Sequence, residues 1–77
     1  MFVIPIHQLR RGETAEVAQV VGAPDQVRRL AELGVRSGEP LEMIQAGSPC
    51  IIRVGGATLC FRDEKQLQVI VSPRKSA

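Results

Sequence analysis

Cys50-Ile51-Ile52-Arg53-Val54-Gly55-Gly56-Ala57-Thr58-Leu59-Cys60-Phe61 is two alternating five-residue runs joined by a glycine pair. Glycine accepts the positive φ that a two-residue turn demands, so the stretch reads as a tight β-hairpin. With Gly55-Gly56 as the loop, the numbers of facing residues sum to 111. Val54 then faces Ala57, Ile52 faces Leu59 and Cys50 faces Phe61, which makes one apolar face and a candidate core. The other face sets Ile51 opposite Cys60 and Arg53 opposite Thr58. Cys50 and Cys60 point to opposite sides of the sheet. Side chains so placed cannot meet the geometry of a bridge, so both are expected to remain thiols.

The same period of two extends in both directions. Leu41-Glu42-Met43-Ile44-Gln45, starting near Glu39, is a strand that reaches the hairpin through a turn at Gly47-Ser48-Pro49. Asp63-Glu64-Lys65-Gln66 is a polar turn, Leu67-Gln68-Val69-Ile70-Val71 a last strand, and residues 72–77 a loose tail. Upstream, Pro24-Asp25-Gln26-Val27-Arg28-Arg29-Leu30-Ala31-Glu32-Leu33-Gly34 is the one helix. Proline suits its first turn, Val27, Leu30 and Ala31 share a stripe that Leu33 extends, and Gly34 stands where a left-handed cap is needed. Ala15-Glu16-Val17-Ala18-Gln19-Val20-Val21 is the first strand. Its apolar phase slips between Val17 and Val20, which a bulge near Ala18-Gln19 accounts for. Leu9-Arg10-Arg11-Gly12-Glu13 is a turn, preceded by an apolar arm, Phe2-Val3-Ile4-Pro5-Ile6. The fold class is mainly β: about five strands with one short helix after the first. So small a chain buries one face of five strands by curling them into a barrel. Leu30, Leu33, Ile52, Val54, Leu59 and Phe61 are the expected core.

Size and composition narrow the function. A chain of 77 residues is a single domain. At this size only about 60–65% of the unfolded surface is buried, which leaves little for a deep cleft. Ten basic residues against eight acidic, with no Trp or Tyr, disfavour nucleic-acid binding. No stretch is long and apolar enough to insert in a membrane, and the N-terminus lacks a secretory pattern, so a cytoplasmic location is expected.

Catalytic groups are scarce. The only histidine, His7, lies on the N-terminal arm, and the serines sit in turns or the tail, without a base beside a nucleophile. No cofactor is expected. The residues that could touch a metal are His7 and Cys60, enough for no more than a weak association with Fe2+ or Zn2+. Cys50 reads as a small core residue. Gly55-Gly56 belongs to a hairpin and is no phosphate loop. Arg28, Arg29 and Glu32 form a charged helix face, with Arg28 and Glu32 spaced for an i,i+4 pair. Ile51 and Cys60 are an apolar pair on an otherwise polar sheet surface. The N-terminal arm covers them, or they form a patch for a partner, whether a second copy of the chain or another protein, or they are a lone apolar patch of the ordinary kind.

The pattern Leu9-x-x-Gly12-x-x-Ala15-x-Val17-x-x-Val20, then Arg29-Leu30-x-Glu32-Leu33-Gly34-Val35-x-x-Gly38, then Ile52-x-Val54-x-Gly56-x-x-Leu59-x-Phe61-Arg62, resembles the FeoA family of ferrous iron transport proteins. The resemblance covers residues 5–71. Its Leu-x-Glu-Leu-Gly-x-x-x-Gly block is the most specific part. It implies an SH3-like barrel and a role beside the FeoB membrane transporter, which carries a cytosolic GTPase domain. Two departures stand out. The segment Gly47-Ser48-Pro49-Cys50 is shorter than the family's usual loop, and Ala57 occupies a position that is often aromatic. Related domains end metal-dependent repressors, but no helix-turn-helix precedes this one. The expected function is a non-enzymatic accessory protein that docks on the transporter and modulates it. A nucleic-acid-binding barrel and a metal-responsive sensor or carrier are the alternatives.

Overall fold

Alternation obliges each strand to bury one face, and the strands do so against a single shared core. The computed structural model describes residues 2–62 and 66–74. The strands are β1 (Ile4–Pro5), β2 (Thr14–Gly22), β3 (Pro40–Gln45), β4 (Cys50–Val54), β5 (Ala57–Phe61) and β6 (Leu67–Arg74). They form one sheet in the order β1-β6-β2-β3-β4-β5, antiparallel throughout. Helix α1 (Pro24–Glu32) follows β2, and a 3-10 turn (Ile6–Gln8) follows β1.

The hairpin register is the one its glycines dictate. Cys50 pairs with Phe61, Ile51 with Cys60, Ile52 with Leu59, Arg53 with Thr58 and Val54 with Ala57. Of the glycine pair, Gly55 alone has a positive φ, 59°, the requirement of a type II′ turn at its first central position. The slip in β2 is also present, as a register shift between Val17 and Gln19 against β6. The extra residue, Ala18, turns its carbonyl to the Ser37 hydroxyl at 3.2 Å. On the neighbouring side, Gly38 donates to the Val17 carbonyl at 2.7 Å and Val17 donates to Glu39 at 2.9 Å.

Six strands are found among the described residues, one beyond the roughly five expected, so the helix follows the second strand rather than the first. The additional strand comes from the apolar arm: Ile4 pairs with Val71 and Pro5 with Ile70. Two residues are too few to show alternation, and Pro5 is tolerated because β1 is an edge. Past β1, Ile6 and Leu9 enter the core at 1% and 2% exposure. At the other end, β6 runs on to Arg74 rather than stopping at Val71. Most of the polar turn expected over residues 63–66, and residues 75–77 of the expected tail, lie outside the described residues.

Buried apolar side chains come from the 3-10 turn, from β2 to β6 and from α1: Ile6, Val17, Leu30, Met43, Ile52 and Val71 are among them. Fully burying each stabilises the fold by about 1.5–3 kcal/mol. Ile52, Val54, Leu30 and Phe61 are core as expected, and Leu59 packs against the cluster while half-buried. Leu33 is not core; it is 44% exposed. The helix ends at Glu32, and the chain reverses through Gly34 at φ 105°. Gly34 donates to Ala31 at 3.1 Å and Val35 to Leu30 at 2.8 Å, the two bonds of a Schellman cap. That reversal delivers Val35, 1% exposed, to the core and leaves Leu33 outside.

Candidate docking surface

Helix α1 begins at Ala23, which is extended and gives no side-chain cap. Pro24 at the first position and Asp25 in the first turn take that role, one by its preset φ and the other by its charge near the helix N-terminus. Leu30 is the helix residue that is buried. Arg28, Arg29 and Glu32 are exposed on the remaining face. The expected Arg28–Glu32 pair is not formed. The ion pairs among the described residues are Arg53–Glu42 at 3.7 Å, directly across the β3–β4 ladder, and Arg74–Glu16 at 2.7 Å. Arg28, Arg29 and Glu32 therefore meet solvent without an intramolecular salt bridge among the described residues.

The hairpin supplies the second element. Cys60 is an exposed free thiol and Cys50 a buried one. Burial pushes the Cys50 thiol above its ordinary value of 9.0, since a thiolate there would lose its water. Ile51, paired with Cys60, is half-buried. The N-terminal arm is taken up by β6 at the opposite edge of the sheet and does not cover Cys60.

Helix and hairpin meet in one shallow depression. Leu30, Pro49, Cys60, Phe61, Arg62 and Leu67 line it. Leu30 and Phe61 belong to the core cluster yet keep 8% and 9% of their surface accessible, and Leu67 packs against the same cluster. The core thus reaches the surface here, with Cys60 and Arg62 beside it in the lining. Cys60 is legible in the sequence as one half of the apolar pair, whereas no local pattern marks Leu67 as part of this surface. Extending the hairpin arithmetic by one residue sets Pro49 opposite Arg62, which was the available signal.

The metal candidates lie in different elements. His7 is half-buried in the 3-10 turn, and its Nδ1 is enclosed without a hydrogen-bond partner. Among the described residues no three of His, Cys, Asp and Glu gather to hold a metal ion. No helix among them is long and apolar enough to cross a membrane.

The FeoA domain profile matches residues 4–73. The chain belongs to the FeoA family. Members of this family are non-enzymatic accessory proteins of ferrous iron transport, and the chain is one of them. A FeoA from Stenotrophomonas maltophilia, solved in complex with zinc and described as a procaryotic SH3-domain protein, is 28% identical. It superposes with a TM-score of 0.77 over 96% of this chain and 99% of its own. A FeoA from Chlorobium tepidum is 27% identical with a TM-score of 0.81, covering 91% of this chain and 70% of that one. A further FeoA, an iron uptake regulatory protein, matches in fold with a TM-score of 0.81 at 21% identity, over 95% of this chain and all of its own. No curated protein matches the chain. The SH3-like fold expected from the FeoA pattern is therefore present, with the extra edge strand β1.

Proposed function

We propose that this FeoA chain docks on the cytosolic, GTPase-containing part of a FeoB-type ferrous iron transporter and modulates it, through the surface where α1 meets the β4–β5 hairpin. The observation that carries this reading is the depression in which core residues Leu30 and Phe61 remain accessible beside Cys60 and Arg62. An apolar floor with a polar rim is the anatomy of a small protein interface. Arg28, Arg29 and Glu32 on the helix, and Ile51 and Cys60 on the hairpin, are the proposed contacts. The family supports the transport system as the setting, and the Stenotrophomonas relative has been put forward as a ferrous iron transport activating factor. Since the described residues assemble no metal-ligand group, the proposed role is docking rather than iron handling.

Titrating the transporter's purified cytosolic domain into the protein tests the reading. Binding at roughly tens of micromolar or tighter is expected, with an off-rate sensitive to Ile51→Lys. Absence of binding in that range, together with unchanged iron uptake in a deletion strain, would overturn it.

A further inference from the structure

The sheet does not close on itself. Its hydrogen-bonded order ends at β5 on one side and at the two-residue β1 on the other. In a hairpin with a two-residue loop, the residues flanking the loop exchange both backbone bonds, and bonded pairs then alternate along the ladder. Ala57, Leu59 and Phe61 therefore spend their amides and carbonyls on β4. Thr58 and Cys60 direct theirs outward, along the open edge. Among the described strands β5 pairs with β4 alone, so its other edge has no strand partner there.

Natural edge strands are commonly blunted by a proline, a charge or a bulge. β5 has none of these: its residues are Ala57, Thr58, Leu59, Cys60 and Phe61, and its pairing with β4 is regular. The end of this edge runs into the depression already described, where Cys60, Phe61 and Arg62 face Leu30 and Leu67 across the opening. An open backbone edge beside an apolar side-chain pocket is the arrangement by which a sheet accepts an added strand. Backbone bonds supply affinity and the pocket selects side chains at alternate positions.

We propose that the β5 edge receives an extended segment of the docking partner as a seventh strand, its apolar side chain seated over Leu30, Phe61 and Leu67. This rests on the docking reading above and specifies how the partner is held. The occupant is a partner strand rather than a second copy of this chain. Five residues of β5 give an edge about 17 Å long. A strip of that length, one strand wide, falls short of the roughly 800 Å2 per partner of a stable interface. A dimer held by that strip alone falls below this size, whereas a docking partner that also touches α1 exceeds it. The segment should be uninterrupted by proline, with an aliphatic or aromatic residue at every second position.

The test uses the transporter's cytosolic domain as probe, with two readouts on the full chain. Hydrogen exchange at saturation should slow the Thr58 and Cys60 amides by about tenfold or more, while those of Ala57, Leu59 and Phe61, already bonded to β4, change little. Thr58→Pro removes one outward donor without touching the β4 ladder, and should weaken binding by about tenfold, the loss of one hydrogen bond. If the probe binds the wild-type chain but both edge amides exchange as before, strand addition is wrong and the docking reading stands. If the probe does not bind at all, the docking reading fails and takes this one with it. A concentration-dependent dimer of the protein alone that protects the same two amides would make a second copy the occupant and overturn the proposal. Should Thr58→Pro fail to fold, the exchange pattern of the wild-type complex decides.

Discussion

The backbone amide of Val35 donates to the carbonyl of Leu30 at 2.8 Å, and that bond places Val35 in the core position that helical spacing assigns to Leu33. The cap, and not the helix stripe, decides which apolar residue after Leu30 is buried. Gly34 makes the cap possible at φ 105°, a region that a side chain strongly disfavours. A Cβ at Gly34 would meet no atom within 4 Å, so the cost of substitution is backbone strain rather than a clash. Gly34→Val should therefore destabilise by about 1–3 kcal/mol in urea melts. Leu33→Ala should change stability by less than about 0.5 kcal/mol. A larger loss for Leu33→Ala than for Gly34→Val would contradict this account of the cap.

Ile52 and Phe61 test the hairpin face. Ile52→Ala should cost about 2–5 kcal/mol and Phe61→Ala about 3–5 kcal/mol. Domains of this kind hold about 5–15 kcal/mol in all, so either variant should melt at markedly lower temperature. Phe61→Ala has a second consequence, since its ring helps to line the depression. Partner affinity should fall even at a temperature where the variant is fully folded.

The two thiols should separate kinetically. Cys60 is exposed and should react with a chromogenic disulfide reagent at once. Cys50 is 0% exposed and should react only as fast as the sheet opens. Equal rates in the native state would show that the pairing of Cys50 with Phe61 does not persist in solution.

Alkaline pH offers an independent check on Cys50. Its folded-state value lies above 9.0, because burial disfavours the thiolate. Below 9.0, the ordinary value that holds in the unfolded chain, the thiol is protonated whether the chain is folded or not, and full stability is present. As pH climbs past it, the unfolded chain releases the proton first, so stability falls until the folded thiol ionises as well. Urea midpoints measured from about pH 7 to pH 10.5 should therefore drop more steeply for the wild type than for Cys50→Ala. Parallel curves would remove Cys50 as the source.

Ile51→Lys should leave the melting temperature within a few degrees of wild type, because Ile51 is only half-buried and its outer face meets solvent. Partner binding should weaken. A variant that unfolds instead would place Ile51 in a packed interior.

How much could be read in advance depended on how local each determinant was. A glycine pair fixes the β4–β5 register within a dozen residues, and a phase slip around Ala18 betrays a bulge in one strand. The strand at Ile4–Pro5 exists only because β6 offers it a partner from the far end of the chain. Nothing within two residues could announce that pairing. Leu33 misleads for a related reason: periodicity describes a helix that continues, and Gly34 ends it. The depression draws on Leu30, Pro49, Cys60 to Arg62 and Leu67. Its separate pieces were visible as helix face and hairpin face, but their meeting is a property of the closed fold.

The position of β6 has a consequence for how the protein is made. It is made after the other five described strands, yet it lies inside the sheet, flanked by β1 and β2. Both of those strands are synthesised before it and lack this neighbour until β6 itself has been made. The β3–β4–β5 meander can pair as it emerges, since its connections are short. The N-terminal third, with Ile6, Leu9 and Val17 still uncovered, must wait as a nascent chain with an apolar surface. Completion of the sheet is thus a single step, in which Leu67–Arg74 slots between two waiting strands and ties them together.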